Sequence, residues 1–121
     1  MLFRSLNQFA SKAKGLTTAG LIVLVSFISP FRAERRMVRE LVGDGEFIEV
    51  FVDTPIEECV RRDPKGLYAR AQKGQIKNFT GIDSPYERPE EPEMTLQTDG
   101  ADPEKLAERV VDYLRAQGRV P

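Results

Sequence analysis

The strongest feature in the pattern of hydrophobic and polar positions is the run "LIVLVSFI" at residues 21–28, interrupted only by Ser26. Apolar residues without alternation suit a strand covered on both faces, as in a parallel sheet. Ser29 and Pro30 follow at once. Serine is a good helix cap and proline a good first helical residue, so the pattern predicts a helix from there to about Leu41, stopped by "GDG" at 43–45. "FIEVFVD" at 47–53 predicts a second strand. "TPIEE" then predicts a capping box, with Thr54 as cap, Pro55 at the first position and Glu57 three residues after the cap, opening a helix to about Arg62.

Residues 67–73 predict a short helix, and the proline-rich stretch 80–93 an irregular loop. "MTLQTD" at 94–99 predicts a short strand. A last helix begins at the cap Asp102 and Pro103, with Leu106, Val110 and Leu114 as its apolar stripe. Strand and helix alternate, so the expected class is α/β, with 20–29, 47–53 and 94–99 as parallel neighbours and helices on the sheet faces. Ligands in such sheets collect at the carboxyl ends of the strands, where Ser29, Asp53 and Thr98 fall. Arg32, Arg35 and Arg36 add positive charge beside Ser29, which suits an anion.

Composition narrows the chemistry. The 121 residues carry 18 basic and 19 acidic side chains, a net charge of −1. One domain is expected, and no overall field draws nucleic acid or a membrane surface. No histidine is present, which excludes Ser-His-Asp and Cys-His catalysis and imidazole-bound zinc. Cys59 is the single cysteine, so no internal disulfide can form. The apolar run is far shorter than the roughly 20 residues of a membrane helix. The N-terminal "MLFRSLNQFASKAKG" reads as an ordinary helix, and a cytoplasmic location is expected. The acidic residues Glu87, Glu90, Glu91 and Glu93 are separated by prolines and form no compact metal-ligand set, so no metal ligand is assigned.

Three segments carry a more specific signal: "FISPFR", "RDPKGLY" and "NFTGIDSPYE", in that order, with "LQTD" further on. Together they closely resemble the adenylylsulfate kinases over residues 19–120, leaving 1–18 as a divergent N-terminal segment. The resemblance implies a P-loop kinase-like parallel sheet with flanking helices, N-terminally truncated. It implies transfer of the γ-phosphoryl group of ATP to the 3′-hydroxyl of adenylyl sulfate, with ATP and Mg2+ as cofactors. Adenylyl sulfate and ATP are the implied partners, with a homodimer as a further one; nucleic acid and membrane are not implied.

The same resemblance suggests site residues, each with a plainer reading beside it. Ser29 corresponds to a phosphoserine-type active-site serine, with Ile28 beside it at the substrate; alternatively it is a helix cap. Lys65 corresponds to a lysine at the adenylyl sulfate site, or is a solvated loop lysine. Asn78 and Phe79 correspond to the segment closing over the substrate adenine, where an aromatic ring can stack and an amide can read the base edge. Phe79 reads equally as a core plug. Arg62 is a lid arginine near ATP or a helix C-terminal arginine, and Thr98 lines the ATP base pocket.

No G-x-x-x-x-G-K-[ST] occurs in the 121 residues. That loop supplies the backbone cradle and lysine for the β- and γ-phosphates and the hydroxyl that holds magnesium. Two readings follow: an adenylylsulfate kinase of which this chain is an incomplete part, or a non-catalytic remnant that binds adenylyl sulfate or dimerises.

Overall fold

The computed structural model describes residues 2–121, with side chains from residue 8 onward. The chain divides into two compact units, residues 1–47 with 85–89, and residues 48–84 with 90–121.

The first unit contains α1 (Leu2–Thr18) and α2 (Arg32–Glu40). The expected N-terminal helix is therefore present. The expected strand over 20–29 is not: residues 21–31 have no regular secondary structure. Leu21, Ile22, Leu24, Val25, Phe27 and Ile28 are all exposed, Leu24 at 85%. Among the described residues, 22–28 make no backbone hydrogen bond. The composition is that of a buried strand, but a strand exists only through a neighbour that pairs its N–H and C=O groups, and no such neighbour is present among the described residues.

The predicted helix start is also corrected. Ser29 has φ 42°, in the left-handed region, and Phe31 is the residue before α2. Ser29 therefore caps nothing. Arg35 instead donates to the carbonyl oxygens of Ser29 and Glu87 and lies over the Tyr86 ring, 5.6 Å from its centroid. Arg32 donates to the Arg88 carbonyl at 2.8 Å, and the Glu87 N–H donates to the Pro30 carbonyl at 2.8 Å. Two of the arginines expected to await an anion thus fasten residues 85–89 onto the start of α2.

The second unit is built on β1 (Val50–Asp53) and β2 (Met94–Gln97), paired in parallel with Val50 opposite Met94 and Asp53 opposite Gln97. A parallel pair needs a crossover. Here it runs through α3 (Ile56–Arg62) and α4 (Leu67–Gln72), and α5 (Pro103–Ala116) follows β2. These elements match the sequence pattern to within a few residues. Phe51 and Leu96, on the two strands, and Ala71 on α4 are the buried apolar residues of this unit. The α5 stripe of Leu106, Val110 and Leu114 is half-buried.

Asp102 caps α5 as expected, its carboxylate accepting the Glu104 N–H at 3.0 Å. The capping box at α3 does not form. Pro55 precedes the helix, no side chain caps it, and the Thr54 hydroxyl hydrogen-bonds the Thr98 hydroxyl. A partner brought in by the β1–β2 pairing outcompetes the local cap.

Candidate functional site

The second unit holds five of the seven sequence-predicted site residues, on two loops, the end of α3 and the end of β2. The first loop, "DPKGLY", joins α3 to α4. Asp63 turns the chain there with φ 22°, followed by Gly66 at φ 65°. The Asp63 carboxylate reaches forward to the opening turn of α4, accepting the N–H of Tyr68 through Oδ1 and of Ala69 through Oδ2, both at 3.0 Å. Free N–H groups at a helix start are satisfied in this way by an acidic side chain. Lys65, inside the loop, is exposed, with no hydrogen bond or ion pair among the described residues.

The second loop, "NFTGIDS", repeats the device in reverse. The Asp83 carboxylate reaches back, accepting the N–H of Asn78 at 2.9 Å and of Phe79 at 2.6 Å. The Phe79 carbonyl accepts from the N–H groups of Ile82, Asp83 and Ser84, and the Gly81 N–H donates to the Ser84 carbonyl at 2.8 Å. Asn78 sits at φ 56°. Its side chain is exposed and makes no hydrogen bond among the described residues. Hydrogen bonds from Phe79 and then Asn78 hold the Asp83 carboxyl below its ordinary range.

The two loops meet through aromatic rings. Tyr68 and Phe79 pack edge to face, with centroids 4.9 Å apart and planes at 76°. Phe79 is half-buried, so its ring rests on Tyr68 while part of its surface stays open. Burial, and after it the neighbouring Cys59 thiol, raises the Tyr68 phenol above its ordinary pKa. Cys59 is half-buried.

Arg62 and Thr98 are brought together at the end of β2. The Thr98 N–H donates to the Asp53 carbonyl at 3.1 Å, and Arg62 Nη2 donates to the Thr98 carbonyl at 3.4 Å. Glu58 takes Arg61 through both carboxylate oxygens, at 2.7 and 2.6 Å, and Arg62 Nε at 2.6 Å. Those bonds, from Arg61 first and Arg62 second, hold the Glu58 carboxyl at about 2, and in return raise the Arg61 guanidinium above its ordinary pKa.

Ile28 and Ser29 belong to the first unit. Ile28 is 68% exposed, and Ser29 is half-buried in its left-handed conformation.

Parallel strands joined by crossover helices make the chain an α/β fold, and its likeness to a solved kinase puts it in the P-loop kinase class. A solved structure described as the Mycobacterium tuberculosis APS kinase CysC in complex with AMPPNP and APS superposes with a TM-score of 0.88 at 43% identity, covering 93% of this chain and 66% of that one. The chain belongs to the adenylylsulphate kinase family, whose profile matches residues 4–97. The "Bifunctional enzyme NodQ" of Rhizobium sp. (strain N33) is 62% identical over 91% of this chain and 17% of its own length. An adenylyl-sulfate kinase of Pseudomonas aeruginosa is 54% identical over 91% of this chain and 56% of its own length. The chain thus spans little more than half the length of that kinase, and under a fifth of NodQ.

Asp63, Asp83 and Glu58 are not among the site residues that the sequence suggests. The Glu58–Arg61–Arg62 set was visible as i, i+3 and i, i+4 spacing on a predicted helix. A carboxylate holding two backbone N–H groups five residues away has no periodic signature.

Proposed function

We propose that this chain carries the adenylyl sulfate-binding side of an adenylyl-sulfate kinase, the enzyme that phosphorylates the 3′-hydroxyl of adenylyl sulfate with ATP. The observation that supports the reading most is the pair of pinned loops: they present a free lysine, a free amide and a partly open aromatic ring within the family's own motifs. Lys65 supplies a mobile positive charge for the phosphosulfate. Asn78 and Phe79 supply an amide and a ring suited to adenine. Ser29 and Ile28 contact substrate in this reading. Arg62 and Thr98 belong to the ATP side, and their mutual contact fits a shared role there.

The residues present do not fit the phosphates of ATP or their magnesium. The sequence holds no G-x-x-x-x-G-K-[ST]. Among the described residues no three His, Cys, Asp or Glu side chains form a group that could hold a metal ion. This favours a second reading for the chain on its own, a non-catalytic binding or dimerisation module. The exposed apolar segment 21–28 is a surface that a homodimer would cover. No helix among the described residues is long and apolar enough to cross a membrane; the proposed location is the cytoplasm.

Two measurements test these readings. A coupled assay with Mg2+, ATP and adenylyl sulfate should show no turnover by the purified 121-residue chain, because the contacts to the transferring phosphoryl are missing and each such part is worth orders of magnitude in rate. Calorimetric titration should show weak adenylyl sulfate binding that Lys65→Ala reduces about 10-fold, the scale of one lost charge-assisted contact. Turnover by the chain alone would overturn the non-catalytic reading. Binding indifferent to Lys65→Ala would remove that lysine from the site.

A further inference from the structure

Asn78 is a non-glycine residue at φ 56°. Left-handed backbone is unfavourable for a residue with a side chain, less so for asparagine, and it persists where surroundings hold it. The holder here is identifiable. Both N–H groups at the bend, those of Asn78 and Phe79, point at the two oxygens of one carboxylate. The short loop behind it is closed by three N–H groups on the Phe79 carbonyl and by the pairing of Thr80 with Ser84. Position 81 is glycine, with φ 88° and with the Ile56 Cδ1 atom 2.7 Å from where a Cβ would lie. The loop therefore fixes where Asp83 sits, and Asp83 fixes the backbone of 78 and 79. Tyr68 fixes the ring of Phe79 from the side, and its own N–H is held by Asp63.

We infer that Asp83 is a positioning residue for the substrate site: its carboxylate sets the backbone from which the Asn78 amide and the Phe79 ring meet adenylyl sulfate together. The inference deepens the proposed function and rests on it. Asp83 itself touches no substrate. It is exposed, so water can replace its carboxylate at the two N–H groups with little loss to the fold as a whole. What water cannot replace is a single backbone geometry. Without Asp83 the bend is free to relax toward ordinary φ, and ligand binding must then supply the ordering.

The experiment uses the intact 121-residue chain and Asp83→Asn, which keeps the side-chain shape but offers one acceptor and one donor to two N–H groups. Adenylyl sulfate binding by calorimetry should weaken about 10-fold, the scale of one or two interface groups that binding must then order. In 1H–15N spectra the Asn78 and Phe79 amides should move upfield and exchange faster, while β1 and β2 amides and the melting temperature stay as in wild type. Lys65→Ala should weaken binding without moving those two amides. Equal affinity of wild type and Asp83→Asn would overturn the positioning role and leave the site reading intact. So would unchanged Asn78 and Phe79 amides. A wild-type chain that does not bind adenylyl sulfate would remove the site reading, and the positioning role with it; the wild-type titration alone distinguishes that failure from the others.

Discussion

Two apolar segments of nearly equal promise in sequence meet opposite fates in the molecule. The second half of "FIEVFVD" becomes β1, whose Phe51 is buried and whose backbone pairs residue by residue with β2. "LIVLVSFI" is the more hydrophobic of the two, yet it stays irregular, unpaired and exposed. Side-chain hydrophobicity supplies a motive for burial, but sheet structure is a property of pairs. Residues 94–97 come back to pair β1, whereas no described segment returns to pair 22–28. What does return in the first unit is the stretch 85–89. It is secured by arginine to carbonyl bonds and not by a ladder.

Leu96→Ala should destabilise the second unit by about 2–3 kcal/mol, the lower part of the range for a buried leucine, since the core here is thin. Leu24→Ala should change stability by no more than about 0.5 kcal/mol, as for any exposed side chain. Urea unfolding of both variants measures the difference. Equal losses would break the contrast, because they would mean that 21–28 is covered in solution. The dimer expected from the sequence is the first explanation to check, by repeating the Leu24→Ala measurement across protein concentration.

A smaller effect sharpens the same lesson inside the second unit, where order comes from turns as well as strands. Gly81→Ala should cost about 1–2 kcal/mol, the penalty for an L-residue in left-handed backbone. The clash adds little, because the atom it meets is the tip of the Ile56 side chain and can swing away. The Asn78 and Phe79 amides should lose protection in this variant too, since the loop that places Asp83 is disturbed. Protection retained at both amides, read by hydrogen exchange, would show that the loop tolerates the change.

Legibility followed the range of the interaction. The Asp102–Pro103 start of α5, the short α4 and the parallel β1–β2 pair were readable because caps, periodicity and alternation are local signals. Ser29 and Thr54 misled because each looked like a cap. A bend took the first out of the helix, and Thr98, far along the chain, took the second. The loops bearing Lys65, Asn78 and Phe79 were legible only through family resemblance, since nothing periodic marks them. The carboxylates that hold those loops escaped even that, because a bond from a side chain to a backbone five residues away leaves no pattern in composition.

The smallest expected effect lies at Glu58, where two arginines hold the carboxyl at about 2 against an ordinary 4.5. A carboxyl with a depressed native pKa stabilises the fold while ionised in both states. That contribution is complete above about pH 4.5, shrinks as pH falls through the window between 4.5 and about 2, and is gone below it. Glu58→Gln should therefore melt below wild type at pH 7, and the two should converge toward pH 2. The gap at neutral pH should be slight, because Arg61 and Arg62 are exposed and water screens the pair. Salt should narrow it further. The readout is melting temperature against pH for both proteins. A gap that persists undiminished at pH 2 would mean that Glu58 acts by packing. Its charge would then contribute nothing to holding Arg62 against the end of β2.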